Sequence, residues 1–148
     1  FSIRDTAGRI VFDSGSQLDR EAIRLGIYDD GRSDNKGVEP EGLALLRVKG
    51  RTLAFIGLER TLKSASAVYD ITDPKKVRFL DMIVSEGDLS PEGLKAFRAG
   101  RSYFVAVANE VSDTTSLFSL KLTHEGGDED DDEGDRDRDG DGDEHGNG

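Results

Sequence analysis

The tetrapeptide Pro40-Glu41-Gly42-Leu43 returns as Pro91-Glu92-Gly93-Leu94, 51 residues further on. The match extends beyond the tetrapeptide. Gly50-Arg51 follows Pro40 by 10 residues and Gly100-Arg101 follows Pro91 by 9. Phe55-Ile56-Gly57-Leu58-Glu59 aligns with Ala106-Val107-Ala108-Asn109-Glu110, and Ala67-Val68-Tyr69-Asp70-Ile71 with Ser116-Leu117-Phe118-Ser119-Leu120. Order is kept throughout and the spacing drifts by no more than two residues. A repeat of this length constrains the fold strongly. It demands two similar units stacked on each other, because one unit alone leaves its apolar face uncovered.

Each unit reads as short strands. Gly42 to Val48 is apolar-rich and ends at Lys49-Gly50, a turn signal. Thr52 to Leu58 is an apolar run suited to a strand buried on both faces. Ala67 to Ile71 is a third strand, closed by Thr72-Asp73-Pro74. Val77 to Ile83 is a fourth, with Val77, Phe79 and Ile83 partly alternating. Four antiparallel strands in about 50 residues make a β-propeller blade. The second unit has strands near Leu94–Phe97, Ser102–Ala108 and Ser116–Leu122, and no fourth. The fold class is therefore all-β: a β-propeller fragment of about two blades of four-stranded antiparallel sheet, followed by an acidic tail.

The segments before the first full unit fit the same scheme. Residues 1–15, with Phe1 to Arg4, a turn at Thr6-Ala7-Gly8 and Arg9 to Phe12, read as the outer strands of a preceding blade. Residues 16–39 read as a connection. In it Gln17 to Leu25 is expected to be a short helix, with Leu18, Ala22 and Leu25 on one face and Ser16 as its cap. The polar run from Tyr28 to Gly37 is either a functional insertion or a surface excursion. Residues 40–90 form one blade and 91–124 a final incomplete one. The chain opens on Phe1 within a strand pattern, so a piece of a longer protein is expected, with the remaining blades upstream as its partner.

Charge separates the tail from the body. The chain has a formal net charge of -11, from 20 Lys and Arg against 31 Asp and Glu. Residues 125–148 hold 13 of the acids and 2 of the bases, which leaves 18 of each in residues 1–124. The tail has no aliphatic or aromatic residue, so it is expected to be disordered. Asp135, Asp137 and Asp139, followed by Gly140, match the first half of a calcium loop. The residue at position 12 of that loop is Gly146, where a bidentate Glu is needed. The tail therefore reads as either a loose Ca²⁺ binder or an ordered site. A neutral body with an acidic tail argues against a nucleic-acid partner. No stretch of ~18 apolar residues argues for a membrane span. Without cysteine there is no thiolate metal site and no thiol nucleophile.

The repeat also points to chemistry. It sets Glu41 and Glu92 at equivalent starts of inner strands, and Glu59 and Glu110 at equivalent ends of second strands. Carboxylates repeated around a ring converge, and oxygen-only ligands suit Ca²⁺ rather than zinc or copper. Arg32, Lys36 and Arg60 lie close in sequence and could hold an anion such as phosphate against that metal. The competing reading is that each Glu caps a turn or pairs with Arg51, Arg60 or Arg101. His124 has no Ser and Asp in a recognisable catalytic arrangement.

Arg32 to Gly42, Ala54 to Arg60, Val68 to Pro74 and Val107 to Ser112 together resemble the C-terminal end of the choice-of-anchor I domain. The resemblance runs over residues 1–122, with Val38 where the family usually has Pro. The family takes in mesenchyme-specific cell-surface glycoproteins and bacterial relatives called alkaline phosphatase-like. The resemblance implies an exported, extracytoplasmic β-propeller at the cell surface. The Glu-Gly start with a second Glu is also similar to β-propeller phytases, where such glutamates bind calcium and phosphate. Three functions are open: a calcium-binding surface or adhesion propeller with an extracellular ligand, a calcium-dependent phosphoesterase acting on a phosphate ester, and a degenerate fragment.

Overall fold

The computed structural model describes residues 1–121. Two strands, β1 (Ser2–Arg4) and β2 (Ile10–Asp13), form a hairpin. Helix α1 (Gln17–Arg24) follows, then a 3-10 turn over Asp30–Arg32. Strands β3 (Pro40–Val48), β4 (Arg51–Leu58), β5 (Ser64–Asp70) and β6 (Arg78–Ser85) make a four-stranded antiparallel sheet in chain order. Strands β7 (Pro91–Ala99), β8 (Ser102–Asn109) and β9 (Thr114–Leu120) make a three-stranded one. This is the all-β propeller fragment expected, one complete blade and one of three strands among the described residues. The tail, with Asp135, Asp137, Asp139 and the expectation of disorder, lies outside the described residues.

Strand registers reproduce the repeat residue by residue. Leu43 faces Ile56 as Leu94 faces Val107, and Ile56 faces Ala67 as Val107 faces Ser116. The first hairpin turn needs a correction. Val48 pairs with Arg51 and Ala99 with Ser102, so Lys49-Gly50 corresponds to Gly100-Arg101. Both turns have two residues, but the glycine moves from the second slot to the first. The drift of two residues falls between β4 and β5. Leu58 pairs with Ala65 across six residues, whereas Asn109 pairs with Thr114 across four.

The two blades stack face to face. Phe55, Val68, Val105 and Val107 lie at the centre of the cluster between them. The other face of the first blade is covered by α1. Leu18 and Ala22 are buried there with Ala54, Ala65, Ala67 and Tyr69, whose small neighbours leave room for the helix. Phe1 of the leading hairpin packs edge-on against Tyr69, at a centroid separation of 4.8 Å. Burial of the Tyr69 ring pushes its hydroxyl pKa up to about 12, and that hydroxyl donates to Gln17 Oε1 at 3.1 Å.

Three local expectations are corrected. Ser16 precedes the helix but its side chain makes no cap hydrogen bond, because it accepts from Arg20 instead. Leu25 is over a third exposed, since the helix ends before it. Ile83 does not share a face with Val77 and Phe79. The β5–β6 register skips Leu80, so the alternation reverses and Ile83 turns to the inter-blade cluster. As anticipated, β4 is buried on both faces, and β5 begins three residues earlier than its apolar run.

Candidate functional site

The site is built from one corner that occurs in both blades. Proline cannot donate to a strand ladder, so Pro40 and Pro91 interrupt pairing where β3 and β7 begin. The register shifts between Pro40 and Leu43, and again between Pro91 and Gly93. Glu41 and Glu92 sit in these bulges, which re-aim their side chains away from the regular pleat. The residue before each proline is left-handed, Glu39 at φ 48° and Ser90 at φ 57°. A non-glycine there is strained by about 1–3 kcal/mol and has to be held by its surroundings. The hold is the same in both blades. Glu59 N–H donates to the Glu39 carbonyl at 3.0 Å, and Glu110 N–H to the Ser90 carbonyl at 2.8 Å.

Two glycines bring the corners together. A Cβ on Gly42 would stand 2.8 Å from the Glu92 carbonyl oxygen, and one on Gly57 would stand 2.9 Å from that of Pro91. Only a bare backbone lets β7 approach so closely. As a result, carboxylate oxygens of Glu59, Glu92 and Glu110 lie within 4.8 Å of one another. Those of Glu39, Glu41 and Glu59 do the same. The four glutamates singled out by the repeat therefore fall into two neighbouring groups, Glu41 in one and Glu92 and Glu110 in the other, with Glu59 common to both. Glu39 is a fifth that the repeat could not reveal, because its counterpart is Ser90.

The five carboxylates differ in environment. Glu39 and Glu59 are 6% and 5% exposed, while Glu41, Glu92 and Glu110 face solvent. Arg32 and Lys36 both pair with Glu39, the lysine at 3.3 Å. The Arg32 hydrogen bond, against the cost of burial, holds the Glu39 carboxyl below its ordinary pKa. Arg60 pairs with Glu59 at 2.5 Å. Even so, Glu59 is pushed up, first by burial and then by the charges of Glu41, Glu39 and Glu92. Five carboxylates against three cations leave two formal negative charges in the cluster. Arg32, Lys36 and Arg60, expected to hold an anion, are thus turned onto carboxylates. The Nε atoms of Arg32 and Arg60 are buried without a hydrogen-bond partner. The polar run from Tyr28 to Gly37 is stapled to this site through Arg32, Lys36 and a bridge between Tyr28 and Thr61.

A second polar cluster, unforeseen from the sequence, ties the blades together. Asp88 accepts from the hydroxyls of Ser85, Thr114 and Ser116, which hold its carboxyl below the usual range. Asn109 Nδ2 donates to Thr114 and Ser116, and its Oδ1 accepts from Ser64. Scattered Ser and Thr in strands give no periodic signal, so nothing in the repeat marked this cluster.

Stacked antiparallel blades with a repeated acidic corner define a β-propeller type of domain. The family model of the choice-of-anchor I domain matches residues 1–74, from the leading hairpin to the turn after β5. The chain belongs to the choice-of-anchor I domain family, a surface-associated, extracytoplasmic class of domain. No curated protein and no solved structure matches it. Among the described residues no helix is long and apolar enough to cross a membrane.

Proposed function

We propose that this chain is the part of a cell-surface β-propeller that holds a Ca²⁺ ion at its glutamate corner and uses it in binding or adhesion. The observation that carries the reading is the pair of carboxylate groups, Glu39 with Glu41 and Glu92 with Glu110, that share the buried Glu59, whose burial and acidic neighbours oppose its ionisation. A hard cation with oxygen ligands removes that conflict, and Ca²⁺ accepts irregular carboxylate sets. Exposed Glu41, Glu92 and Glu110 would leave room for an acidic group of an extracellular ligand to complete the coordination. The finer likenesses in the family, to mesenchyme-specific glycoproteins and to alkaline phosphatase-like proteins, stand as part of this proposal.

The test is thermal unfolding of the full chain with and without millimolar CaCl₂. A Ca²⁺-dependent rise in Tm that disappears in Glu59→Gln supports the reading. An unchanged Tm in the unaltered chain rejects it. A second reading, a Ca²⁺-dependent phosphoesterase, is favoured by Arg32, Lys36 and Arg60 on the same rim. It requires these cations to exchange a glutamate for phosphate. Turnover of a phosphomonoester or phytate that needs Ca²⁺ and falls in Arg60→Gln would support it. Absence of turnover above background leaves binding as the function.

A further inference from the structure

We propose that the end of the blades opposite the glutamate corner is a basic docking surface, and that its occupant is the chain's own acidic segment, residues 125–148. The neutral sum of the body hides a separation of charge that the strand order creates. Strands β3 and β7 both start at the corner and run away from it, so the turns at 49–50 and 100–101 lie at the far end. The β5–β6 connection and the end of β9 reach that same end. There, residues 47–51, 70–78, 98–101 and 121 hold nine Lys and Arg against two Asp. At the corner end, residues 39–41, 59–63, 86–92 and 110–113 hold eight acids against Arg60 and Lys63. Arg32 and Lys36 join them from the preceding loop.

All nine bases at the far end are exposed. Arg51 and Arg78 both lie on Asp70, at 3.7 and 3.4 Å. The other seven make no ion pair with an acid among the described residues. Like charges gathered on one surface repel each other and attract a polyanion. The blades stack through their sheet faces, so the stack leaves this end open. Two facts select the occupant. Residues 125–148 carry 13 acids and 2 bases, which is the opposite charge in comparable number. Strand β9 delivers the chain to the basic end, since Leu120 closes the strand and Lys121 is one of the nine bases. A segment tethered there meets the surface at an effective concentration of about millimolar, which a free polyanion has to exceed. The contact is a sum of exposed pairs, each weak, and is therefore sensitive to salt. The surface opens to another anionic partner only when that partner displaces the segment.

The chain has no cysteine, so Gly146→Cys gives one site for a nitroxide spin label. Paramagnetic broadening of amide signals is read on the labelled full-length chain at low salt and in about 0.5 M NaCl. The expected result is broadening at Lys49, Gly50, Lys76 and Arg101 at low salt, with the signals recovered at high salt. Amides of Glu41, Glu92 and Glu110 should stay sharp in both. Lys49→Glu with Arg101→Glu should reduce the broadening, and Lys75→Glu with Lys76→Glu tests a separate turn. The dispersion of β4 amides shows that each variant is folded. Sharp signals at the basic turns at low salt overturn the proposal. Broadening that survives 0.5 M NaCl or both charge reversals reflects the tether alone and overturns it equally. So does broadening of an isotope-labelled chain by a spin-labelled second copy in place of its own segment.

Discussion

Glu59 carries a charge that its surroundings resist. Its carboxyl is buried beside Arg60, with Glu39, Glu41 and Glu92 close by, and its pKa is raised above 4.5. A raised carboxyl favours the folded state while it is protonated. Its contribution is present below the unfolded pKa and is lost as pH rises through the folded one. Without cation, Glu59→Gln should therefore raise Tm at neutral pH and flatten the decline that Glu59 imposes above about pH 4.5. A Glu59→Gln chain as pH-sensitive as the unaltered one over that window would contradict the assignment. Glu39 works in the opposite sense. Its lowered carboxyl stabilises the fold above 4.5, and that support is lost as pH falls. The repeat made Glu41, Glu59, Glu92 and Glu110 legible because two copies of one pattern mark the same position. Glu39 was hidden by the same logic, since Ser90 shares its strained backbone but not its charge.

At the scale of elements, the site depends on how closely β7 approaches β3 and β4. Gly42→Ala puts a methyl group against the Glu92 backbone, which cannot swing aside as a side chain can. The expected cost is about 1–3 kcal/mol, with loss of any Ca²⁺ effect on Tm, because the two corners are forced apart. Gly93→Ala is the control, since a Cβ there meets only the Ala108 methyl at 3.5 Å and changes little. The Asp88 cluster is the second link between blades. Asp88→Asn should lower Tm at pH 7 and remove an acid-labile step. The depressed Asp88 carboxyl gives stability above its usual value of 3.8 that is lost as pH falls. Identical acid unfolding of the variant and the unaltered chain would exclude that role. Strand existence was readable here because β3, β4, β7 and β8 combine apolar runs with turn signals. The phase of β6 was not readable. Its bulge at Leu80 is set by pairing with β5, which no local pattern encodes, so the partial alternation of Val77, Phe79 and Ile83 does not show that Ile83 lies on the opposite face.

Over the whole molecule, two blades share one core and one acidic corner, and the repeat accounts for both. The hairpin, the helix and the stacking order followed from the sequence. The convergence on Glu59 did not, because it needs Gly42 and Gly57 to admit β7 at contact distance. The net charge of -11 describes residues 125–148 and not the propeller body, so bulk acidity is no guide to what the body binds. A divalent cation held by the paired corners has to be told apart from one held by the tail's own acids, which make a simple binding titration ambiguous. The direct measurement is calorimetric titration of CaCl₂ into the full-length chain and into a chain carrying both Glu41→Gln and Glu92→Gln. Both chains keep the same tail. The unaltered chain should show a saturable binding phase that the double variant lacks, with any weak tail heat common to both. Superimposable isotherms would contradict it.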